Sequence, residues 1–224
     1  MASLGAIANK LPPLQKGEEE MKTVIIATKN KGKAKEFESL FHPKGYEVLT
    51  LLDFVGATDV EETGETFEEN AILKAEAIAK EFGRFVLADD SGLIVDALDG
   101  RPGVYSARYA GEKKNDAANT AKVLDELEEV PETERTARFY CALALASPNQ
   151  ETITVSGSVE GLIAGKPEGE NGFGYDPVFY LKEKGKTMAE LNSEEKNAIS
   201  HRANALKVLE RKLDQFLARE EGNR

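Results

Sequence analysis

Short apolar runs alternate with longer amphipathic segments along the chain. The runs at residues 24–27 and 85–88 have the length and composition of buried strands, and residues 33–41 carry apolar side chains at helical spacing. A further strand is predicted around residues 47–51. The chain therefore begins as a strand, a loop, a helix and a second strand.

A second helix is predicted to begin at Thr66 and to end before Gly83. Thr66 and Glu69 have the spacing of a capping box, in which each side chain bonds the other residue's backbone N–H. Residues 93–95 read as one more short strand. The sequence Asp89-Asp90-Ser91-Gly92 is therefore expected at a strand end, as a turn that leads into the next strand.

The second half of the chain adds strands of both orientations. A helical pattern at residues 116–129 is closed by Pro131, a Gly-rich loop follows at residues 169–177, and helical patterns resume at residue 187. Strands are predicted over residues 136–147, 152–163 and 178–180, the first two joined as an antiparallel hairpin. We therefore expect an α/β fold, a bilobed single domain with a mixed central sheet, flanking helices and an active-site cleft between the lobes.

One compact domain accounts for most of the chain. The length of 224 residues and the hydrophobic content of 41% suffice for one sizeable core. Residues 1–20 contain a Pro12-Pro13 break and lack the charged and apolar regions of a signal peptide, so they read as an expression leader or a disordered extension. The catalytic domain is then expected over residues 21–219, with residues 220–224 as a frayed tail.

The charge balance is acidic, with 29 Lys and Arg residues against 40 Asp and Glu residues and a net charge of -11. This balance argues against binding to a nucleic-acid backbone. The sequence has no apolar run of about 18 residues, the length of a membrane-spanning helix. Its single cysteine, Cys141, lies in a predicted strand, which favours a reducing compartment. We therefore expect a cytoplasmic protein that binds neither nucleic acid nor a membrane.

The loop between the first strand and the first helix is a candidate phosphate site. Backbone N–H groups and the helix dipole favour an anion there. The loop is not a P-loop, because it has no leading glycine and has Ala34 where Ser or Thr would follow the lysine. Solvent-exposed lysines in a turn are the alternative interpretation. The candidate residues are Thr28, Lys29, Asn30, Lys31, Gly32 and Lys33.

Asp89 and Asp90 are the strongest candidates for acid–base or metal chemistry. A carboxylate at a strand end can ligate Mg²⁺ or orient a water molecule, with Glu61 or Glu62 as a second ligand. Neighbouring residues of an extended strand point to opposite faces, so a turn would be needed for both carboxylates to share one cleft. A plain structural turn is the alternative. Asn70 also hints at function, because asparagine inside a helix costs helix propensity.

Aromatic and basic residues near the end of the chain are candidates for binding a base. Phe173 and Tyr175, set among glycines, could form a stacking platform or simply anchor the loop. Lys196, His201 and Arg202 could donate hydrogen bonds to phosphate or to a carbonyl group. No Cys/His spacing suggests zinc.

These segments together resemble the inosine triphosphate pyrophosphatase family, whose members hydrolyse non-canonical purine nucleoside triphosphates to the monophosphate and pyrophosphate. The resemblance extends from Thr23 to Phe216. Six motifs occur in the family's order: Thr28-x-Asn30-x-x-Lys33, Glu61-Glu62-Thr63-Gly64-x-Thr66-Phe67-x-Glu69-Asn70-Ala71, Ala88-Asp89-Asp90-Ser91-Gly92-Leu93, Pro102-Gly103-Val104-Tyr105-Ser106-Ala107-Arg108, Gly172-Phe173-Gly174-Tyr175-Asp176-Pro177 and Ser200-His201-Arg202.

The resemblance implies a Mg²⁺-dependent homodimeric enzyme that acts on ITP, dITP and XTP and cleanses the nucleotide pool. It implies that Asp90 is the proton acceptor and a metal ligand, that Glu61 is the other metal ligand, and that Ser91 touches the substrate. The loop from Thr28 to Lys33 would wrap the triphosphate, with Lys74 added here as a phosphate contact. The implied nucleotide pocket consists of Phe173, Gly174, Tyr175, Asp176, Lys196, His201 and Arg202.

Two other functions stay open at this point. The first is a related pyrophosphatase that acts on modified pyrimidine or methylated nucleotides, against which the Phe173 and His201 segments speak. The second is a nucleotide-binding sensor without turnover, against which the full set of carboxylates speaks. One residue, Lys29, occupies a position that is often small in the family, and a lysine there would alter the affinity for phosphate.

Overall fold

The computed structural model describes residues 22–54, 56–111, 115–148 and 150–222. The expected leader at residues 1–20 lies outside them. Within the described residues the strands are β1 (Lys22–Ile26), β2 (Tyr46–Thr50), β3 (Phe85–Val95), β4 (Thr136–Ser147), β5 (Gln150–Ile163), β6 (Phe179–Leu181) and β7 (Lys186–Thr187). The α-helices are α1 (Lys31–Phe41), α2 (Phe67–Phe82), α3 (Asp116–Glu126), α4 (Ser193–Ile199) and α5 (His201–Gly222).

The strands form one mixed sheet in the order β2-β1-β3-β4-β5-β6-β7. β1 pairs in parallel with both β2 and β3, whereas every pairing from β3 to β7 is antiparallel. The predicted mixed α/β domain and the predicted hairpin of β4 and β5 are therefore confirmed. β3 joins the parallel strands β1 and β2 to the long hairpin of β4 and β5.

β3 is one continuous strand, and the expected turn at Asp89-Asp90-Ser91-Gly92 is wrong. Its residues pair with β4 without interruption from Val86 opposite Ala146 to Val95 opposite Ala137. Asp, Ser and Gly favour turns locally, but the antiparallel ladder with β4 satisfies the backbone of this segment in the extended form. The acidic pair therefore lies in the middle of a strand.

The two faces of the sheet are covered by different helices. On one face, Val24 and Leu87 pack with Phe37 of α1 and Leu209 of α5. On the other face, Val86 and Ala88 pack with residues of α2 such as Ile78. A third apolar cluster lies at the far ends of β3 and β4, where it joins β6 and α3. Successive residues of β3 therefore alternate between the α1/α5 face and the α2 face.

Helix boundaries follow local capping signals where those signals are present. At α2 the Thr66 hydroxyl accepts from the Glu69 N–H at 3.1 Å, the Glu69 carboxylate accepts from the Thr66 N–H at 3.2 Å, and Gly83 ends the helix with φ 61°. After residue 187, where the sequence predicts that helical structure resumes, Met188–Glu190 form a short 3-10 helix, and the α-helix α4 begins at Ser193. α5 continues to Gly222, so the boundary at residue 219 stays a prediction.

The described helices include none with the length and apolar character that crossing a membrane requires. α5 is the longest of them at 22 residues, and charged residues occur along its whole length beside the apolar stripe that packs on the sheet.

Candidate active site

Asp89 and Asp90 point to opposite faces of the sheet. Asp89 lies on the α1/α5 face, where its Oδ2 is 2.7 Å from Lys33 Nζ and 3.4 Å from Arg202 Nη2. Asp90 lies on the α2 face, where its Oδ2 accepts a hydrogen bond from Asn70 Nδ2 at 3.1 Å. The alternation of a continuous strand thus separates the two carboxylates.

Both carboxylates nevertheless lie beside one cleft. The pairing of β3 with β1 ends at Leu87, so β1 no longer covers the edge of β3 at Asp89 and Asp90. Beyond that point Lys74 of α2 reaches the edge of β3, and its Nζ donates to the Asp89 carbonyl oxygen at 2.7 Å while lying 3.5 Å from Asp90 Oδ1. A cavity of about 620 Å³ opens at this edge and contacts groups from both faces of the sheet. Asp89 and Asp90 can therefore lie next to the same cavity although β3 makes no turn between them.

Most of the predicted site residues line this cavity. They are Thr28, Lys29, Asn30, Lys33, Lys74, Ser91, Phe173, Gly174, Tyr175, Asp176, Lys196, His201 and Arg202. The structure describes Lys31 and Gly32 only by their place at the start of α1. Asp90 is buried just behind the cavity wall, beside Lys74. The cavity therefore joins residues that are distant along the chain.

The environment of Asp90 suits a proton acceptor. Burial raises its pKa to about 6, the Glu62 and Asp89 carboxylates act in the same direction, and Lys74 and Asn70 oppose the shift only in part. A general base is most effective when its pKa lies near the working pH. At neutral pH the Asp90 carboxylate is ionised and is still basic enough to take a proton.

Asp89 has the opposite character. Burial acts to raise its pKa, but the cations of Lys33, Arg202 and Lys74 outweigh burial and hold that pKa well below the ordinary range. Ser91 lies on the same face and receives a bond of 3.3 Å from Arg202 Nη2. An aspartate bound so closely by cations is a weak base. We therefore interpret Asp89 as a structural anion that orients the basic side chains of the cleft.

Glu62, and not Glu61, is the carboxylate that the structure brings next to Asp90. Glu62 Oε1 is 2.8 Å from Lys74 Nζ, and Glu62 lines the cavity. Glu61 is exposed, and its role as a metal ligand stays a prediction. Arg108 adds a further cation 3.7 Å from Glu62 Oε2, a contact that the sequence pattern did not single out.

The phosphate-loop candidates hold a compact turn before α1. The Thr28 hydroxyl accepts from the Asn30 N–H at 3.1 Å, and Asn30 Oδ1 accepts from the Lys33 N–H at 3.2 Å, so Asn30 caps the helix. Lys33 extends inward to Asp89, whereas Lys29 is exposed and lies 3.4 Å from Asp59. Of these two lysines, Lys33 is thus the one that pairs with Asp89 inside the cleft.

The Gly-rich loop separates the roles of its two aromatic residues. Phe173 is 54% exposed, and the Lys196 ammonium lies 4.8 Å from its ring centroid. Tyr175 is buried, and its hydroxyl donates to the Ser106 carbonyl oxygen at 2.7 Å. Phe173 can therefore act as a platform for a base, while Tyr175 anchors the loop.

Hydrogen bonds fix the shape of this loop. Asp176 Oδ2 accepts from the Phe173 N–H at 2.8 Å and also pairs with Lys196, and Gly172 and Gly174 adopt φ of 81° and 62°. Asp116 at the start of α3 accepts from the Gly174 N–H at 2.8 Å. Asp116 contributes to the site although its sequence context gave no signal for such a role.

His201 and Arg202 lie at the start of α5, deep in the cavity. The His201 ring stacks on Phe139 with centroids 5.1 Å apart. Burial lowers the pKa of His201 well below its ordinary value, with further lowering from Arg202, Lys196 and Lys33, so the imidazole is neutral. Within the described part of the chain its Nδ1 has no hydrogen-bond partner. A neutral ring with one unused nitrogen is suited to contact a ligand.

The fold and the cleft define a class of protein. An α/β domain that gathers paired carboxylates and several lysines at one strand edge has the groups that metal-assisted phosphoryl chemistry uses. The chain belongs to the Ham1 family, whose model matches residues 24–212.

Close relatives and solved structures agree with this assignment. The dITP/XTP pyrophosphatase of Bacillus licheniformis is 64% identical over 195 residues, which cover 87% of this chain and 100% of the relative. The dITP/XTP pyrophosphatase of Bacillus subtilis is 60% identical over 194 residues, covering 87% and 98%. The structure of the Staphylococcus aureus Ham1 protein is similar with a TM-score of 0.81 at 49% identity, covering 87% of this chain and 99% of that one.

Proposed function

We propose that this protein hydrolyses non-canonical purine nucleoside triphosphates, among them dITP, XTP and ITP, to the monophosphate and pyrophosphate with the help of Mg²⁺. The observation that carries the proposal is a basic, buried Asp90 near Glu62, directly behind the wall of the cleft that Lys33 and Glu62 line. The names of the relatives support the same substrate class. Phe173 and His201 supply surfaces that fit a purine base.

The acidic residues fit a divalent cation. No cluster of three or more His, Cys, Asp or Glu side chains forms a metal cage among the described residues. Mg²⁺ commonly takes one or two carboxylates and completes its coordination with water and substrate phosphates. Glu62 and Asp90 both approach the Lys74 ammonium, which indicates that their oxygen atoms converge on a cation. These two residues would hold Mg²⁺.

The proposed reaction begins with a water molecule that attacks the α-phosphorus while Asp90 accepts its proton. Lys33 and the backbone N–H groups of its turn stabilise the negative charge of the phosphates, and pyrophosphate leaves. When bound, Mg²⁺ supplies Lewis-acid stabilisation of the phosphoryl oxygens. Asn70 keeps the Asp90 carboxylate in place through the bond to its Oδ2.

Selection against ATP follows from the donors at the end of the pocket. Arg202 is a donor only, so it can bond a 6-oxo group and cannot accept from a 6-amino group. Leaving one buried polar group without a partner costs about 1–3 kcal/mol, which corresponds to roughly a ten- to hundredfold loss. Selection against GTP would require an unfavourable contact at its 2-amino group.

The proposal is tested by pyrophosphate release from ITP, dITP, XTP, GTP, ATP and a modified pyrimidine triphosphate, each with Mg²⁺ and with EDTA. We expect kcat/KM for the first three to exceed that for ATP and GTP by about tenfold or more, with activity lost in EDTA. A preference for the modified pyrimidine would favour the related pyrophosphatase. Binding without turnover of any substrate would favour a sensor.

Substitution of the two neighbouring glutamates separates their roles. Glu62→Gln is expected to weaken Mg²⁺ affinity about tenfold or more, because it removes a charged oxygen beside Asp90. Glu61→Gln is the matched control, and its affinity should stay within about twofold because the side chain is exposed. The affinity is read from pyrophosphate release against Mg²⁺ concentration. The reverse order of effects would restore Glu61 as the ligand.

We further infer that the protein is a cytoplasmic homodimer. The resemblance to the family supports the dimer, and the buried single thiol of Cys141 is compatible with a reducing compartment. Sedimentation velocity tests the dimer, and a monomer at micromolar concentration would contradict it.

A further inference from the structure

The Lys74 ammonium is surrounded by the oxygen atoms of three acidic residues. Its Nζ lies 2.8 Å from Glu62 Oε1, 3.5 Å from Asp90 Oδ1 and 2.7 Å from the Asp89 carbonyl oxygen. The Lys74 side chain is only 15% exposed. This lysine is therefore the cation nearest to the acidic centre, with Arg108 more distant at 3.7 Å from Glu62 Oε2.

The two carboxylates around Lys74 are the pair that would hold Mg²⁺. A Mg²⁺ ion needs oxygen atoms at about 2.0–2.1 Å and binds them in a strict geometry. The Lys74 ammonium already lies 2.8 Å from Glu62 Oε1 and 3.5 Å from Asp90 Oδ1, and it would repel a second cation bound to the same two carboxylates. Metal binding therefore requires Lys74 to leave at least one of these oxygens.

The cleft offers Lys74 a second place. Lys74 lines the same cavity as Thr28, Asn30 and Lys33, the turn that would cradle the triphosphate. A lysine side chain is a flexible stem that carries one compact charge, so its ammonium can move while α2 stays fixed. The well-defined start of α2 and the burial of Ala71 and Ala75 against the sheet hold the helix itself in place.

We propose that Lys74 competes with the divalent cation for Glu62 and Asp90, and that binding of a triphosphate draws Lys74 away from them. This inference rests on the proposed function. Lys74 then couples the two ligands: a nucleotide that accepts the ammonium frees the metal ligands, and a bound metal displaces the ammonium toward phosphate. By linkage, each ligand raises the affinity for the other through this residue by the same factor.

Removing Lys74 should change the affinity for a divalent cation in opposite directions, depending on whether this lysine competes with the cation or only positions Glu62. A lysine that merely positions Glu62 would, when removed, weaken metal binding. In the competition, Lys74→Met binds free Mn²⁺ more tightly than the wild-type protein does, by about fivefold or more. Mn²⁺ is titrated in the absence of nucleotide, and its free fraction is read by electron paramagnetic resonance. Far-ultraviolet circular dichroism confirms that each variant is folded.

Two control variants separate competition from a general charge effect. Lys33→Met removes the same charge from the same cavity, but Lys33 pairs with Asp89 Oδ2, so its Mn²⁺ affinity should change by about twofold or less. Lys74→Arg keeps the cation, so its affinity should not exceed that of the wild type. Equal tightening by both methionine variants would overturn the competition, as would unchanged or weaker binding by Lys74→Met.

A second titration tests the coupling. An ITP analogue with a methylene group between the α and β phosphorus atoms should raise the affinity of the wild-type protein for Mn²⁺ by a larger factor than that of Lys74→Met. Equal factors in both proteins would overturn the coupling. Wild-type pyrophosphate release is measured in parallel: its absence contradicts the proposed function, whereas the nucleotide-free Mn²⁺ titration judges the competition independently.

Discussion

Asp90→Asn is expected to lower kcat by about a thousandfold while the affinity for a non-hydrolysable ITP analogue stays within about threefold. Loss of a general base costs about 10²–10⁴-fold in rate. Asparagine has the same shape and keeps an oxygen for the bond from Asn70 Nδ2, so the pocket should keep its form. Pyrophosphate release gives kcat, and calorimetry gives the affinity. A variant with near-normal turnover would contradict the role of Asp90.

Asp89→Asn provides the matched comparison within the same strand. Asp89 is paired with Lys33 and Arg202, and removing one partner of a buried ion pair costs on the order of 3 kcal/mol. The principal effect of Asp89→Asn should therefore be a lower free energy of unfolding. Equal losses of kcat in both variants at full folding would show that the two aspartates share the chemistry.

The raised pKa of Asp90 adds a stability test of the same variant. Because this pKa is about 6 in the folded protein and 3.8 ordinarily, the folded state binds the proton more tightly than the unfolded state does. The stability contributed by the protonated form is fully present below about pH 4 and is lost as the pH rises through 6. Metal-free Asp90→Asn should thus be more stable than the wild type at pH 7.5, by roughly 1–3 kcal/mol, and the difference should shrink at pH 5. Urea unfolding measures both.

Local signals in the sequence were sufficient for much of the scaffold. The capping box of Thr66 and Glu69, the glycine that ends α2 and the hairpin of β4 and β5 depend on residues close together in the chain. The order of six motifs also identified the family, because their residue types and spacing are visible without coordinates. The class of reaction therefore follows from the sequence alone.

The continuity of β3 could not be read in this way. Asp89-Asp90-Ser91-Gly92 has the composition of a turn, and only the distant β4 supplies the partners that keep it extended. Local propensity and long-range pairing point in different directions here, and pairing prevails. This outcome also explains how the two aspartates acquire different roles: one faces the cations of α1 and α5, and the other faces α2.

Which of two neighbouring residues contributes to the site depends on burial, and the spacing of residues in the sequence does not show burial. Glu61 and Glu62 are adjacent in a loop with no periodic pattern, and it is the burial of Glu62 and its contacts with Lys74 and Arg108 that distinguish them. Phe173 and Tyr175 are both aromatic, but one is exposed and the other is bonded to Ser106. Such distinctions arise from contacts between segments far apart in the chain.

Asn70 connects the loop that carries Glu62 with Asp90 on β3. Its removal is expected to lower both the free energy of unfolding and the rate of catalysis. The side chain is fully buried, its Oδ1 accepts from the Gly64 N–H at 2.7 Å, and its Nδ2 donates to Asp90 Oδ2. Asn70→Ala leaves the Gly64 N–H and the Asp90 carboxylate without these partners, at a cost of about 2–4 kcal/mol. Asn70→Ala frees both the loop that carries Glu62 and the side chain of the general base Asp90 to move, so kcat should fall about tenfold or more.

Asn119 offers a matched control for this prediction. It is equally an asparagine buried in a helix, where its Oδ1 accepts from the Ala110 N–H at 2.7 Å and its Nδ2 donates to the Ala107 carbonyl at 3.2 Å. Within the part of the chain that the structure describes, it bonds no carboxylate. Asn119→Ala should lose similar stability and keep kcat within about threefold, when both variants are assayed well below their melting temperatures. If the two variants lose rate in proportion to stability, Asn70 is only a packing residue. A larger loss of kcat in Asn70→Ala at equal stability establishes that holding Asp90 is itself part of catalysis.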